Sequence, residues 1–258
     1  MVIAGGRGER LGLNIPKCML EISGKKLIDI CIGSLTRQGF RRFVFLLGFR
    51  HDVVKNHIGD GSRYGIEAKF SIDPHSESGW GKGKAFKSAL ANRIIGPRQR
   101  SLVVFPDDLI TDDSTHKKFL AHHIQCVRKY CALASIVLAS GMRLPYATAR
   151  TNPEGMVIEF SEKPVVPYQV SVGLYAFEPA VYEMIDASIN LADPEPLDLE
   201  STVLSRLAKD QRLASMSIDS GMWLPINTIK EYEQALKAKF PNDISSSDTR
   251  KKRLAASD

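Results

Sequence analysis

An α/β fold, with a mostly parallel sheet covered by helices on both faces, is what this sequence predicts. Three observations carry the expectation. Apolar runs of strand length recur at Phe43–Leu47, Leu102–Phe105 and, interrupted only by Ser135, Leu133–Ala139, as strands buried on both faces require. Stretches with helical spacing of apolar residues lie between them. The first apolar run ends in a glycine cluster, the kind of loop that sits beyond the carboxyl end of a strand in such sheets.

Taken in order, Val2–Ala4 is a short apolar run that leads into the glycines. Leu27, Ile28, Cys31 and Leu35 recur at helical spacing, and Gly39 can close that helix. After the strand Phe43–Leu47, Asp52 is placed to cap a helix running through Ile58. Ile66–Ile72 alternates like a strand, Lys84–Ala91 reads as a helix and Leu102–Phe105 as a buried strand. Ser114–Tyr130 is a long amphipathic helix, followed by the strand Leu133–Ala139. Beyond Gly141 the texture changes. Met156–Phe160 and Val170–Phe177 read as strands joined by short turns, Ala180–Ile185 and Leu199–Leu207 as helices, and Leu213–Ile218 as a strand. Thr228 and Glu231 have the spacing of a capping box, opening a helix to about Phe240. A single domain over residues 1–240 is expected, with a natural division near residues 140 and 141, followed by a disordered tail over 241–258 rich in Ser, Asp and basic residues.

Composition narrows the function classes. The chain has 258 residues, 43% hydrophobic and 25% charged, with a mean hydropathy of −0.14, an ordinary globular balance. The net charge is +6 and the pI near 9.1, and the tail supplies only one of those six charges. A modest excess spread through the body suits an enzyme for polyanionic small molecules at least as well as a nucleic-acid binder. Aromatics make up 8% and are not interleaved with basic residues, so no nucleic-acid partner is expected. Cys18, Cys31, Cys126 and Cys131 form no CxxC pair and no zinc spacing, and they read as small apolar residues in a reducing compartment. No apolar run approaches the roughly 18 residues of a membrane span. Arg7, Glu9 and Arg10 leave no room for a signal-peptide core. A cytoplasmic protein without a membrane partner follows as the expectation.

The chemistry concentrates in two loops. Gly5-Gly6-Arg7-Gly8-Glu9-Arg10-Leu11 follows the first strand, and Pro16-Lys17 comes shortly after. Three glycines in four positions let backbone N–H groups approach an anion, and Arg10 and Lys17 add two fixed cations, which together describe a triphosphate site. Leu11 stands where the dinucleotide fingerprint needs glycine, and neither Gly24-Lys25 nor Gly83-Lys84 is followed by the Ser or Thr of a P-loop. The second loop is Pro106-Asp107-Asp108, after the strand ending at Phe105. Read alone, it is equally an acidic turn that caps the next element.

The glycine loop with Pro16-Lys17-Cys18-Met19-Leu20 resembles the signature of the sugar-1-phosphate nucleotidyltransferases, the pyrophosphorylases that make nucleotide sugars. The resemblance continues in Gly24-Lys25-Lys26-Leu27-Ile28, Gly59 to Gly65, Gly81-Lys82-Gly83-Lys84-Ala85, Phe105-Pro106-Asp107-Asp108, Glu162-Lys163-Pro164, Val172-Gly173-Leu174-Tyr175 and Trp223 to Tyr232. It implies a three-layer Rossmann-like nucleotidyltransferase fold with a mostly parallel mixed sheet. The nucleotide-binding part would span about 1–140 and the sugar-binding part about 141–240. The implied reaction joins an NTP to a sugar-1-phosphate by in-line attack on the α-phosphorus, giving an NDP-sugar and pyrophosphate.

The resemblance also assigns residues. Arg10 would hold the leaving pyrophosphate, and Lys17 the α-phosphate and incoming phosphate. Lys163 would bind the sugar's phosphate and Glu162 its hydroxyls. Gly173 would line the sugar pocket. Ala4, Gly5, Gly6, Gly8, Gly81 and Gly83 would contact the nucleotide. Asp107 would carry Mg²⁺, the hard cation such oxygen-rich sites take. Most members hold a second metal aspartate where this chain has Pro225, and Asn227 is the candidate substitute, although it equally serves as the residue before a helix cap. Lys84 stands where thymidylyl-transferring members have glutamine, which disfavours dTTP, and the loop around Gly81 and Gly83 approximates those of uridylyl- and guanylyl-transferring members, which leans the reading toward UTP or GTP. The alternatives are a transferase for a non-sugar phosphate such as phosphocholine or an inositol phosphate, and a nucleotide sensor of the same fold. The oligomeric state is left open, a homo-oligomer among the options.

Overall fold

The computed structural model describes residues 1–8, 12, 14–75 and 80–237. The tail expected over 241–258 and the end of the last helix lie outside them, as does Arg10. In chain order the strands are β1 (Val2–Ile3), β2 (Glu21–Ile22), β3 (Lys25–Lys26), β4 (Arg42–Leu47), β5 (Glu67–Ile72), β6 (Ser101–Val104), β7 (Asp108–Ile110), β8 (Ala134–Arg143), β9 (Thr148–Thr151), β10 (Val157–Ser161), β11 (Val165–Phe177), β12 (Leu213–Asp219) and β13 (Trp223–Pro225). The helices are α1 (Leu27–Arg37), α2 (His51–Ile58), α3 (Lys82–Ala91), α4 (Thr115–Tyr130), α5 (Ala180–Ser188), α6 (Ser205–Lys209) and α7 (Ile229–Lys237).

Seven strands form one sheet in the order β12-β8-β11-β6-β1-β4-β5. Only β11 runs antiparallel to its neighbours, so the sheet is mixed and mostly parallel. Its strands alternate sides residue by residue. Val2, Phe45, Leu47 and Val104 face a core shared with Ile28, Ile32 and Leu35 of α1, Val54 and Ile58 of α2 and Phe119 of α4. Ile3, Leu46 and Val103 face the opposite core with Phe86 and Ala89 of α3 and Val181 and Ile185 of α5. Two helical layers with a sheet between them is the three-layer architecture the sequence predicts. Burying both faces of β1, β4 and β6 is what demands their unbroken apolar runs.

Several boundaries differ from the expectation, each for a local reason. Asp52 caps nothing: α2 begins at His51 after Arg50 in a left-handed conformation, which leaves Asp52 inside the first turn. β8 and β11 extend well past the expected bounds, because their outer halves pair with each other beyond the core, leaving Met142, Val165 and Tyr168 exposed. The stretch expected as a helix over Leu199–Leu207 begins as a π-helical turn, Glu200–Leu204, before α6. The division near residues 140 and 141 falls inside β8, and the sheet runs across it. The capping box forms as expected: Glu231 N donates to Thr228 Oγ1 at 3.2 Å and Thr228 N to Glu231 Oε2 at 2.8 Å.

One buried titratable group ties two helices. His116 of α4 is 7% exposed, and its Nδ1 accepts a 2.9 Å bond from Gln38 Nε2, just past α1. Burial pushes its pKa down to about 4. The unfolded ring binds its proton near pH 6.5, so between those values the unfolded chain carries a proton that the folded chain refuses. Stability is therefore unaffected above that window and falls as the pH drops through it, by about 3 kcal/mol in all. His116→Asn keeps an acceptor for Gln38 without a titrating ring. Its melting temperature should lose less between pH 7 and about pH 4 than that of the wild type; equal losses would contradict this origin of acid sensitivity.

All four cysteines are free thiols, and only Cys131 is exposed. Burial pushes the Cys18 and Cys31 thiols up to about 12.

Candidate active site

The parallel strands β1, β4 and β6 all point their carboxyl ends at one cleft, where ligands of open α/β sheets bind. Its volume is about 540 Å³. The floor is built by two loops in mutual contact. A Cβ on Gly48, after β4, would lie 2.9 Å from Gly5 O, and one on Gly5 would lie 3.2 Å from Gly48 N, so two backbones approach where side chains cannot fit. Gly8 takes a φ of 69°, which favours glycine. Lys17 is pinned to the same loop, its N donating to Gly6 O at 3.1 Å. Gly5, Gly6, Arg7, Gly8 and Lys17 all line the cleft.

Opposite them, residues far apart in sequence are brought together by a two-stranded pairing. β13 runs antiparallel to β7, matching Pro225 with Asp108, and Ile226 N donates to Asp107 O at 2.9 Å. Asp107 and Asn227 thus leave the ladder side by side. The Lys17 ammonium lies between them, donating to Asp107 Oδ2 and, at 2.8 Å, to Asn227 Oδ1. Two oxygen acceptors and one cation converge on a point facing the glycines. Pro225 has no side-chain oxygen to offer, and it occupies a ladder position instead.

Asp108 behaves differently from its neighbour. It is absent from the cleft lining and accepts a 2.8 Å bond from Trp223 Nε1. Burial, reinforced by the charge of Asp107, pushes its carboxyl up to about 6. Gly173 lies against it: a Cβ there would stand 2.3 Å from Asp108 Oδ2 and 2.5 Å from the Phe105 ring. Gly173 is therefore a packing glycine that lets β11 pass under Asp108, and it does not line the cleft.

The remaining expected site residues divide. Gly81 lines the cleft, with a φ of 86° and its missing Cβ directed at the Leu197 backbone. Gly83 is buried and donates its N–H to Leu197 O at 2.8 Å, turned from the cleft. Ala4 is buried behind the glycine loop, its N donating to Leu46 O. Lys84, which stands where thymidylyl-transferring members have glutamine, is 1% exposed, donates to the Asp193 carbonyl and does not line the cleft. Glu162 and Lys163 are exposed on the turn from β10 to β11, paired at 3.5 Å with each other, and neither lines the cleft.

Residues that the sequence reading passed over complete the walls. Asp73 follows the carboxyl end of β5, a position that the strand pattern alone could have flagged. Trp80 and Lys82 flank Gly81. Asp198 joins from a distant loop, its Oδ1 accepting the Lys82 N–H at 3.1 Å, and no local pattern marks it. Lys82 Nζ meets Glu200 Oε1 at 2.5 Å, and Tyr175 OH donates to the same oxygen at 3.0 Å. Among the described residues no group of three or more His, Cys, Asp or Glu is placed to hold a metal ion, and no helix is long and apolar enough to cross a membrane.

Comparison with known proteins adds to this geometry. A family model described as nucleotidyl transferase matches residues 1–240. A UTP–glucose-1-phosphate uridylyltransferase of Synechocystis sp. is 24% identical over 257 residues, covering 95% of this chain and 64% of its own length. The mannose-1-phosphate guanylyltransferase catalytic subunit beta of Drosophila pseudoobscura pseudoobscura is 25% identical over 240 residues, covering 90% of this chain and 60% of its own length. The chain thus spans less than two thirds of these relatives. The solved structure of HddC from Yersinia pseudotuberculosis superposes with a TM-score of 0.61 at 20% identity, covering 92% of this chain and 96% of that one.

Proposed function

The chain belongs to the nucleotidyl transferase family, and from that premise we propose that it joins a nucleoside triphosphate to a sugar-1-phosphate with release of pyrophosphate. One observation supports this above the others: the Lys17 ammonium sits between Asp107 and Asn227 and faces three glycines. In the proposed step a phosphate oxygen of the sugar-1-phosphate attacks the α-phosphorus. That P–O bond forms as the bond from the α-phosphorus to the pyrophosphate oxygen breaks, and the electron pair leaves with pyrophosphate. The reactants repel each other as anions, so the protein's task is to hold them in line and neutralise growing charge.

The glycine loop supplies N–H groups and an approach without side chains. Lys17 exchanges its carboxylate for phosphate oxygens. Arg10, outside the described residues, is the proposed partner of the leaving pyrophosphate. Asp107 and Asn227 present oxygen donors directed at one point, a donor set that fits Mg²⁺ once phosphate and water oxygens complete its shell. Bound there, the metal would supply charge neutralisation at the α-phosphate. Lys163 and Glu162 stand apart from this cleft, so their proposed contact with the sugar phosphate requires the β9–β10 arm to fold toward Lys17. On this reading residues 1–140 carry the nucleotide and 141–240 the sugar.

Incubation with Mg²⁺, a panel of NTPs and a panel of sugar-1-phosphates should release pyrophosphate. The Asp107→Ala variant should lose Mg²⁺-dependent release by at least about 100-fold, the scale of removing one transition-state contact. A folded wild type silent on the whole panel would refute the reading.

A further inference from the structure

Beside the glycine loop, the cleft continues past the carboxyl end of β4 to that of β5, where Asp73 stands. Its backbone is fixed: Ile72 pairs with Leu47, and Asp73 N donates to Leu47 O at 2.8 Å. Adjacent strands lie about 4.8 Å apart, so the two steps from β1 to β5 put this carboxylate about 10 Å from the triphosphate loop. A ribose and base extending from that loop would span such a distance. Trp80 and Gly81 line the same cleft. The Trp80 carbonyl accepts from Leu197 N at 3.4 Å, and its indole leans on the His75 ring with centroids 5.4 Å apart. Gly81 lines the cleft next to it, its Cβ position closed off by the Leu197 backbone. The Trp80 ring gives this part of the cleft an aromatic surface for a flat ring, and stacking of this kind is indifferent to which base it takes.

We infer that Asp73 is the residue that selects the base, and that the base it selects is guanine. The inference rests on the nucleotidyl-transfer reading above and sharpens its substrate class. An ionised carboxylate only accepts hydrogen bonds. Guanine alone among the common bases offers two adjacent donors on one edge, N1–H and the 2-amino group, matching two carboxylate oxygens. Uracil and thymine offer one N–H between two carbonyl oxygens, which a carboxylate repels. Adenine and cytosine offer an amino group beside a ring acceptor, so one contact is good and its neighbour repulsive. Asp73 Oδ1 already accepts the His75 N–H at 2.7 Å, and a carboxylate oxygen has a second lone pair for a further donor. Asp198, another carboxylate lining the cleft, already accepts the Lys82 N–H.

Calorimetry with GTP, UTP, CTP and ATP in Mg²⁺, without any sugar phosphate, tests this before turnover enters. The wild type should bind GTP at least about tenfold more tightly than the others, the lower range for a bidentate base contact. Asp73→Asn presents one acceptor and one donor. It should weaken GTP by about tenfold and strengthen UTP, closing the gap between them. A wild type that binds all four alike would overturn the base assignment while leaving the triphosphate cleft intact. So would equal losses for every base in Asp73→Asn, which would place the carboxylate on the ribose. No binding of any triphosphate would instead remove the nucleotidyl-transfer reading itself. The wild-type ranking decides the matter even where the variant melts early.

Discussion

Lys17→Met should lower pyrophosphate release by about 10²- to 10³-fold, the cost of deleting one preorganised charge aimed at a developing anion. The size follows from where the ammonium stands. Its side chain is 14% exposed and that of Asp107 is 24% exposed, so neither is fully screened by solvent. Without the ammonium, the phosphates lose one fixed cation, and Asp107 loses the partner that holds its carboxylate in place. Lys17→Arg tests geometry separately from charge. A planar guanidinium cannot occupy the space a compact ammonium holds between two side chains that are fixed by the β7–β13 ladder. Turnover should therefore stay well below wild type although the charge is kept. Measured turnover close to wild type in Lys17→Met would mean that the convergence of Lys17, Asp107 and Asn227 has no part in catalysis.

Gly173→Ala should be strongly destabilising. The added carbon meets both Asp108 and the Phe105 ring well inside contact distance. Neither can retreat cheaply: Asp108 is held by Trp223, and Phe105 N donates to Gly173 O at 3.2 Å. Overpacking of this kind costs about 3 kcal/mol, which lowers the melting temperature of a domain this size by about 6–12 °C. Because the shift pushes on β7, which Asp107 directly precedes, turnover should fall as well. The double variant Gly173→Ala with Asp108→Ala removes one of the two clashing partners and should recover part of the loss. An unchanged melting temperature in the single variant would show that β11 does not pass so closely beneath Asp108.

These outcomes also mark what was legible in the residues. Strands buried on both faces announce themselves by apolar runs, so β4, β6 and the core of β8 could be read directly. Where β8 and β11 leave the core, the ladder persists past Pro167 and Gly141 with its apolar residues exposed, and their length could not be. Lys17 and Asp107 were readable because each lies beside a loop at a strand end. Asn227 owes its place to β13, a three-residue strand too short to show a period, and its pairing with residues more than 100 positions away leaves no local trace. Gly173 and Gly83 have the composition of binding loops, yet both serve close packing, and a glycine's neighbours in space cannot be read from its neighbours in sequence. Asp198 reaches the cleft wall, and Glu200 the Lys82 ammonium behind it, through the tertiary fold alone.

The scattered thiols offer a handle on all of this. Cys131 follows α4 and precedes β8, whose start lies with the amino ends of the parallel strands, at the far pole from the glycines. The sulfurs of Cys18 and Cys31 stay protonated and enclosed near neutral pH. A maleimide dye would thus settle on one outward sulfur, and its fluorescence could follow unfolding while substrates come and go at the other end undisturbed.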